Sequence, residues 1–252
     1  MSGPAIIGRT VLITGGAQGL GAALSAAFHR AGYRVGVSDV DEAAAMACAD
    51  ALDPTGETAL GLALDVRDAA AFEAARNRLV AAWGSVEALV NNAVVTVARP
   101  VLEIDPDEFD RVVQVNLRGT FVGCQVFGRY FKERGHGRIV NMASLAGQNG
   151  GTATGAHYAA SKGGIITLTK VFARDLGAFG VTVNAIAPGP LDSPAVRALV
   201  PEDKLAGIVA GIPVQRLGSL DYVADTAVHL AGENAYFANG ATWDINGGLF
   251  MR

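Results

Sequence analysis

The sequence predicts a single α/β domain in which seven parallel strands form a doubly wound sheet flanked by helices. Runs rich in β-branched residues alternate with alanine-rich helical runs along the 252 residues, an order typical of βαβ units. The strand segments are almost continuously apolar, which indicates that helices cover both faces of the sheet. No linker, repeat or low-complexity segment interrupts the pattern, so we expect one domain over residues 1–252.

The first half of the chain predicts four strands and three helices. The strands cover Thr10–Thr14, Arg34–Asp39, Thr58–Asp65 and Val86–Asn91. The helices cover Gly19–Arg30, Asp41–Leu52 and Asp68–Trp83. Each of these strands is followed by a helical run or a loop leading to one, as a parallel sheet requires.

The second half opens with a long helix, predicted from Pro106, a residue favoured in a first turn, to about Glu133. The stretch 188–218 is rich in proline and glycine, follows a strand, and is predicted to form a substrate loop. The remaining predicted elements are the strands Arg138–Ser144, Val181–Ala187 and Ala241–Ile245, and the helices Ala156–Ala178, Pro201–Gly211 and Asp221–Leu230.

Composition and charge argue against several classes of protein. The net charge is −4 and no basic run occurs, so we expect no nucleic-acid partner. No apolar run reaches the ~20 residues that a membrane span needs, and the first residues do not resemble a secretory signal. We therefore expect a cytoplasmic protein without a membrane partner. Two separated cysteines and four scattered histidines offer no metal-ligand spacing, so no metal is expected.

A glycine-rich turn follows the first predicted strand. Residues 14–21 read TGGAQGLG and lead directly into a helix. Glycines at such a turn allow a tight bend, close approach of the backbone to a pyrophosphate, and close packing of helix on strand. The amino end of the helix presents backbone N–H groups to the phosphates. This context predicts a dinucleotide site in a Rossmann-type fold rather than a plain structural turn.

Two aspartates follow the second and third predicted strands. Asp39 lies eighteen residues after Gly21, where a carboxylate accepts hydrogen bonds from the adenosine ribose and repels the 2′-phosphate of NADP. The glycine turn contains no lysine or arginine, so the expected cofactor is NAD. Asp65 is placed to contact the adenine amino group. The alternative for each aspartate is a helix cap, before the helices starting near Asp41 and Asp68 respectively.

Tyr158 and Lys162 lie four positions apart and therefore on one face of a predicted helix. Hydride transfer to or from a hydroxyl carbon needs a group that exchanges the hydroxyl proton. A tyrosine with its ordinary pKa of about 10 is a poor base near neutrality, whereas a nearby ammonium favours the phenolate. Ser144 ends the preceding strand, and a glycine-rich loop allows it to fold back toward Tyr158. The pair alone is common on helices by chance.

Together these motifs resemble the short-chain dehydrogenase/reductase family, over the whole chain and in the family's order. The resemblance is carried by residues 14–21 (TGxxxGxG in the family), by 91–93 (three of the four positions of NNAG), by Asn116, Ser144, Tyr158 and Lys162 (the catalytic tetrad), and by 188–189 (PG). It implies that Tyr158 is the general acid/base and that Lys162 lowers the pKa of Tyr158 and holds the nicotinamide ribose. It also implies that Ser144 binds the substrate oxygen and that Asn116 holds a water molecule of a proton relay.

The resemblance also implies a cofactor-binding set and an assembly. The cofactor residues are Gly15, Gln18, Gly19, Leu20, Gly21, Asp39, Val40, Asp65, Val66, Asn92, Ala93, Tyr158, Lys162, Pro188, Gly189, Leu191 and Ser193. Members of the family are often homotetramers that associate through two long helices, here those over 106–133 and 156–178, and the final strand. The apolar residues 249–251 suit burial against a neighbouring subunit.

The expected function is NAD(H)-linked oxidation of a secondary alcohol or reduction of a ketone. One alternative is a 3-oxoacyl-[acyl carrier protein] reductase, which in this family usually prefers NADPH and has a basic residue in the glycine turn; Gln18 and Asp39 argue against it. If the partner is an acyl carrier protein, we expect basic residues around the rim of the site. The basic residues available for this are Arg99, Arg118, Arg129 and Lys132. A second alternative is a non-catalytic, regulatory cofactor-binding protein, which the complete tetrad disfavours.

Three positions depart from the family's pattern. Val94 stands where glycine is usual, and either narrows the pocket or packs at the strand end. The spacing from Ser144 to Tyr158 is fourteen, one longer than is common, and the extra residue falls in Gly147–Gly155. Ser193 stands where a threonine often contacts the cofactor carboxamide. His157, next to Tyr158, is interpreted as a pocket-rim or packing residue, because adjacent helical residues face different directions.

Overall fold

The computed structural model describes residues 8–151, 154–193, 196 and 202–252, and it confirms the predicted fold class. Seven parallel strands form one sheet in the order β3-β2-β1-β4-β5-β6-β9. They are β1 (Thr10–Thr14), β2 (Arg34–Asp39), β3 (Ala59–Ala63), β4 (Ala88–Asn91), β5 (Gly137–Met142), β6 (Val181–Pro188) and β9 (Thr242–Ile245). Two further short strands, β7 (Leu191–Asp192) and β8 (Gly218–Ser219), pair with each other outside this sheet.

Helices lie on both faces of the sheet. They are α1 (Gly19–Arg30), α2 (Glu42–Leu52), α3 (Ala69–Trp83), α4 (Pro106–Val113), α5 (Gly119–Arg134), α6 (Ala146–Asn149), α7 (Ala156–Leu176), α8 (Glu202–Ala210) and α9 (Leu220–Ala231). Short 3-10 helices cover Val101–Glu103, Gly177–Phe179 and Glu233–Phe237. None of the helices within the described ranges is long and apolar enough to cross a membrane.

The core consists of two layers, one on each face of the sheet. Along β1, Val11 and Ile13 belong to one apolar cluster and Leu12 to the other, as the period of two along a strand requires. The first layer packs against α1, α2 and α9, with Phe28 fully buried. The second packs against α3, α5 and α7, with Phe127 fully buried. Burial on both faces explains why the strands read as continuous apolar runs.

Strand order reverses between β1 and β4. From β1 the chain builds the sheet outward to β3, and then returns to add β4, β5, β6 and β9 on the other side. At such a switch point the connections leave in opposite directions and open a crevice outside the carboxyl ends of the strands. The glycine turn that follows Thr14 and the segment that follows Asn91 meet at this crevice.

Some predicted boundaries were wrong. The helix predicted from Pro106 to Glu133 is two helices joined by a π-helical turn over Gln114–Arg118. The strands predicted over Thr58–Asp65 and Arg138–Ser144 end at Ala63 and Met142. Asp65 and Ser144 therefore belong to the loops at the carboxyl edge of the sheet.

Other corrections are small. The helix predicted to end at Ala178 ends at Leu176 and continues as a 3-10 turn. The helix predicted from Pro201 to Gly211 is described from Glu202 to Ala210, and Pro201 lies outside the described residues. Within the predicted substrate loop, residues 194–195 and 197–201 also lie outside them, as do residues 152–153 of the segment Gly147–Gly155.

Candidate active site

The ends of β1 and β4 are tied together by side chains. The Thr14 hydroxyl oxygen accepts the backbone N–H groups of Asn92 at 3.0 Å and of Ala93 at 3.1 Å. In return, Asn92 Nδ2 donates to the carbonyl oxygens of Thr14 at 3.1 Å and Gly15 at 2.9 Å. These four bonds hold the glycine turn against the segment after β4, and so define one wall of the crevice.

The glycines of the turn are required by its shape. Gly15 and Gly19 have φ angles of 60° and 52°, in the left-handed region that favours glycine. A Cβ atom on Gly21 would lie 1.8 Å from the Gly15 carbonyl oxygen, so a side chain there would prevent the turn from closing on α1. Gln18 caps α1 without a side-chain hydrogen bond. The first amide groups of α1 are thus available to a phosphate.

A cleft of about 630 Å³ opens at this point. It brings together most of the predicted cofactor residues, namely Gly15, Gln18, Gly19, Leu20, Gly21, Asp39, Val40, Asp65, Val66, Asn92 and Ala93. Val94 also lines the cleft and is 46% exposed, so it faces the crevice rather than packing at the strand end. Sequence reasoning missed the other lining residues, which are Leu64, Arg67, Val95, Arg111 and Val115.

The two aspartates of the cleft differ in their surroundings. Asp41, not Asp39, caps α2, since its carboxylate accepts the Ala44 amide at 3.1 Å. The cap interpretation of Asp39 is therefore wrong. The Asp39 carboxylate accepts only a 3.3 Å hydrogen bond from the Asp41 amide among the bonds described, and it lines the cleft.

Asp65 is bound by a neighbouring arginine. Arg67 Nε lies 2.9 Å from Asp65 Oδ1, and Arg67 Nη2 lies 2.5 Å from Asp65 Oδ2. The guanidinium therefore donates to both carboxylate oxygens. Hydrogen bonding to Arg67 holds the pKa of Asp65 below its ordinary value. Asp68, not Asp65, supplies the side-chain cap of α3. The predicted contact of Asp65 with adenine stays a prediction, and any such contact must share the carboxylate with Arg67.

Lys162 is buried beneath the end of β5. The residue is part of α7, and its Nζ donates to the Met142 carbonyl oxygen at 2.5 Å. The same nitrogen lies 5.7 Å from the centre of the Tyr158 ring. Burial disfavours the charged ammonium and lowers the pKa of Lys162 to about 7. Lys162 therefore loses its proton at a lower pH than an exposed lysine does.

Tyr158 is half-buried in the first turn of α7. Burial raises the pKa of its phenol above the ordinary value, and interaction with the Ser144 side chain acts in the opposite direction. The sequence predicts a pKa lowered by the nearby ammonium, and for the protein's own groups this prediction is wrong. Burial is the larger effect among the protein's own groups, and it also weakens the ammonium by lowering the pKa of Lys162.

Asn116 lies inside the π-helical turn and is fully buried. Its Oδ1 accepts the Val95 amide at 2.8 Å, and its Nδ2 donates to the Val95 carbonyl oxygen at 3.0 Å and to Ser161 Oγ at 3.2 Å. The side chain thus fixes the backbone of a residue that lines the cleft. The proposed role of Asn116 in holding a water of a proton relay stays a prediction.

Of the remaining predicted residues, Pro188 ends β6, and Gly189, Leu191 and Ser193 follow it. None of the four is among the residues that line the cleft. The Pro188 carbonyl oxygen accepts the Leu145 amide at 2.9 Å, next to Ser144. The Gly189 amide donates to the Ile245 carbonyl oxygen at 2.8 Å. Leu191 begins β7, and Ser193 Oγ accepts the Val196 amide at 3.2 Å.

Comparison with known proteins assigns the chain to a group of oxidoreductases. A family model described as enoyl-(acyl carrier protein) reductase matches residues 15–250. The 3-oxoacyl-[acyl-carrier-protein] reductase of Escherichia coli is 34% identical over 246 residues, which are 97% of this chain and 98% of that protein. The 2-dehydro-3-deoxy-L-rhamnonate dehydrogenase (NAD(+)) of a Sphingomonas strain is 37% identical over 242 residues, covering 96% and 95%.

A solved structure is also similar over almost the whole chain. The crystal structure of a proposed gluconate dehydrogenase from Agrobacterium tumefaciens superposes with a TM-score of 0.90 at 31% sequence identity. The match covers 97% of this chain and 96% of that one. The similar proteins thus differ in the substrates that their names give, while each of these names is that of an oxidoreductase.

The buried lysine gives a pH-dependent stability. Between about pH 7 and its ordinary pKa of 10.5, Lys162 binds a proton in the unfolded chain but not in the folded one, so its contribution makes the free energy of unfolding rise with pH. We expect Lys162→Met to flatten this rise in urea unfolding measured at about pH 7 and about pH 10. Lys170→Met, an exposed lysine of the same helix, is the matched control. An unchanged pH dependence in Lys162→Met would contradict the assignment.

Proposed function

The chain belongs to the short-chain dehydrogenase/reductase family, and we propose that it transfers a hydride between NAD(H) and a secondary alcohol or ketone, with Tyr158 as the general acid/base. The observation that carries the proposal is the grouping of Ser144, Tyr158 and Lys162 at the carboxyl edge of the sheet. Interaction with the Ser144 side chain acts to lower the pKa of the phenol, and Lys162 Nζ lies 5.7 Å from the centre of the Tyr158 ring. The dinucleotide cleft opens at the same edge.

NAD(H), when bound in this cleft, would supply the acceptor or donor of the hydride exchanged with the carbinol carbon. In alcohol oxidation Tyr158, as phenolate, takes the hydroxyl proton, so that the C–O bond gains double-bond character. The Ser144 hydroxyl donates to the substrate oxygen and stabilises the charge that develops there. In ketone reduction Tyr158 returns the proton. Each role requires the phenol and the Ser144 hydroxyl to face one substrate oxygen, and the interaction between the two side chains supports this arrangement.

Lys162 supports the phenolate electrostatically. When it is protonated, its charge stabilises the ionised phenol, and the effect is strengthened by the low polarity around a buried group. Its pKa of about 7 allows it to gain or lose a proton during turnover near neutral pH. One N–H of the ammonium donates to the Met142 carbonyl oxygen. The other two are available to donate to a hydroxyl of the cofactor ribose or to a group of a proton relay.

Replacing the phenol tests this mechanism. Tyr158→Phe keeps the ring but removes the exchangeable proton, so we expect kcat to fall by about 10²- to 10⁴-fold while the affinity for NADH is unchanged. NADH fluorescence titration and steady-state kinetics measure the two quantities. Tyr222→Phe, at a 63% exposed tyrosine, is the matched control and keeps full activity. Turnover retained in Tyr158→Phe would refute the mechanism.

The choice of NAD over NADP rests on Asp39. Its carboxylate lines the cleft and caps no helix, so a 2′-phosphate of about −2 charge would be repelled. Arg67 lines the same cleft, but its guanidinium is already bound by Asp65. The relative from Sphingomonas, whose name includes NAD(+), is consistent with this choice.

Removing the carboxylate should change the cofactor preference. We expect Asp39→Ala to raise the ratio of kcat/KM for NADPH to that for NADH by at least about tenfold, because a repulsion of one to several kcal/mol is lost. Asp41→Ala is the matched control: it removes the cap of α2 and lowers stability, but leaves the ratio unchanged. A wild-type preference for NADPH would refute the assignment of NAD.

A 3-oxoacyl-[acyl carrier protein] reductase is the second candidate, favoured by the 34% identity with the enzyme of that name. Two residues of the expected basic rim are engaged elsewhere, since Arg99 binds Glu108 and Lys132 stacks at 4.2 Å over the Phe179 ring. A panel of small ketones, alcohols and 3-oxoacyl thioesters assayed with NADH and NADPH separates the candidates. NADH binding without turnover of any of them would favour a regulatory protein.

A cytoplasmic location stays a prediction from the sequence.

We further propose that the protein is a homotetramer. Apolar side chains are exposed where the family associates. On α5 and α7, Phe121 is 38% exposed and packs against Phe172, with the two tilted ring centroids 5.8 Å apart. Near β9, Phe237 and Met251 are 92% and 80% exposed. Such exposed apolar groups are typical of an interface between subunits.

The assembly has a direct test. Light scattering during size-exclusion chromatography should give four times the chain mass of 25.8 kDa. Phe121→Asp places a charge in the α5–α7 surface and should reduce the mass to that of a dimer. Met46→Asp, which changes an apolar residue 51% exposed on α2, is the control and keeps the tetramer. A monomeric wild-type protein would contradict the proposal.

A further inference from the structure

A fully buried histidine immediately precedes Tyr158 and is bonded through both ring nitrogens. Nδ1 of His157 lies 2.8 Å from the backbone nitrogen of Tyr158. Nε2 lies 3.2 Å from Glu108 Oε1 on the neighbouring helix α4. The mechanism above does not use His157, and a packing role alone does not require two such bonds.

The partners of His157 determine which ring nitrogen carries the proton. A backbone N–H can only donate, so Nδ1 must be the acceptor and carries no hydrogen. In the neutral imidazole the hydrogen is then on Nε2, which donates it to the Glu108 carboxylate. The network therefore assigns one tautomer, in which the ring is an acceptor toward Tyr158 and a donor toward Glu108.

Glu108 is itself held in place. Arg99 Nε donates to Oε1 at 2.8 Å, and Arg99 Nη2 donates to Oε2 at 2.9 Å. Hydrogen bonding to Arg99 keeps the pKa of Glu108 below its ordinary value, and the bond from His157 adds to this effect. The carboxylate is therefore ionised, and its position is fixed from the loop that follows β4.

The first turn of α7 needs this support. Its N-cap is Gly155, which offers no side-chain acceptor, and the amide of Tyr158 is one of the helix amides without a partner within the helix. His157 supplies that acceptor from inside the turn. A Cβ atom on Gly155 would lie 2.3 Å from His157 Cε1, so glycine at this position leaves the space that the ring occupies.

We propose that His157 is a positioning residue for Tyr158: as a neutral imidazole fixed by Glu108, it holds the Tyr158 amide and thereby the direction of the phenol. The inference rests on the proposed role of Tyr158 as the acid/base. His157 does not touch the reacting atoms, because adjacent helical residues face different directions. It acts through the backbone of the residue that does.

The test compares His157→Ala with His157→Asn, whose side-chain oxygen can accept the same amide. For His157→Ala we expect kcat to fall by about ten- to a hundredfold, with KM for NADH changed by less than about twofold, because a misplaced group slows the chemical step more than binding. His157→Asn should recover most of the loss. His29→Ala is the matched control, since that ring bonds Thr58 at 2.9 Å on the far helix α1.

Amide hydrogen exchange gives a readout that does not depend on activity. In His157→Ala the first turn of α7 should exchange at least about tenfold faster than in the wild type, and His157→Asn should restore its protection. Glu108→Gln keeps one acceptor oxygen for Nε2–H but loses the second bond from Arg99, so it should lose less protection than Glu108→Ala. Glu108→Ala should show a milder form of the His157→Ala defect. Glu108→Ala also carries the test if His157→Ala does not fold.

Two results would overturn the inference. One is unchanged kcat and unchanged exchange in His157→Ala. The other is an equal loss in His157→Ala and His157→Asn, which would indicate packing alone. The proposed function fails separately: if Tyr158→Phe keeps its turnover while His157→Ala still loosens the first turn of α7, the acid/base assignment is wrong and the hydrogen bond to the amide stands.

Discussion

The close approach of α7 to the carboxyl end of β5 is the constraint on which the site depends. It is held by the bond from Lys162 Nζ to the Met142 carbonyl oxygen and by the apolar contacts of Ile165 with the ends of β5 and β6. A Cβ atom on Gly147 would lie 2.5 Å from the backbone of Lys162, so α6, which follows Ser144, also packs directly on α7. This closeness brings the Ser144 hydroxyl to the phenol.

The same closeness destabilises the charged forms that the chemistry needs. Burial lowers the pKa of Lys162 to about 7 and raises that of Tyr158, so neither ion is favoured by its surroundings alone. A network of buried polar side chains beneath the site holds the surrounding elements together. Asn141 accepts a bond from Asn91 at 2.8 Å and donates to Thr169 at 3.0 Å, which links β4, β5 and α7. The proposed hydride transfer would therefore need part of its charge stabilisation from the bound cofactor.

The fold and the glycine turn could be predicted because they leave periodic or local signals. Alternation of apolar runs with alanine-rich helices and the shape of residues 14–21 depend on neighbours in sequence. The π-helical turn around Asn116 could not, since one extra residue per turn barely changes the apolar period. The ion pair of Arg67 with Asp65 joins residues only two positions apart, but it depends on the conformation of the loop after β3, which leaves no periodic signal. The burial that reverses the expected pKa shift of Tyr158 arises only when distant elements pack together.

The loop after β4 connects these features. The backbone N–H and carbonyl groups of Val95 in this loop are both hydrogen-bonded to the Asn116 side chain. The Val97 carbonyl oxygen accepts the Gly155 amide at 3.1 Å. Arg99 binds Glu108, which in turn binds His157. The wall of the cofactor cleft and the first turn of α7 are therefore one bonded unit. Val94, whose side chain faces the cleft, can alter the shape of that wall without disturbing the bonds that orient the phenol. The family's pattern can thus vary at this position while Tyr158 keeps its place.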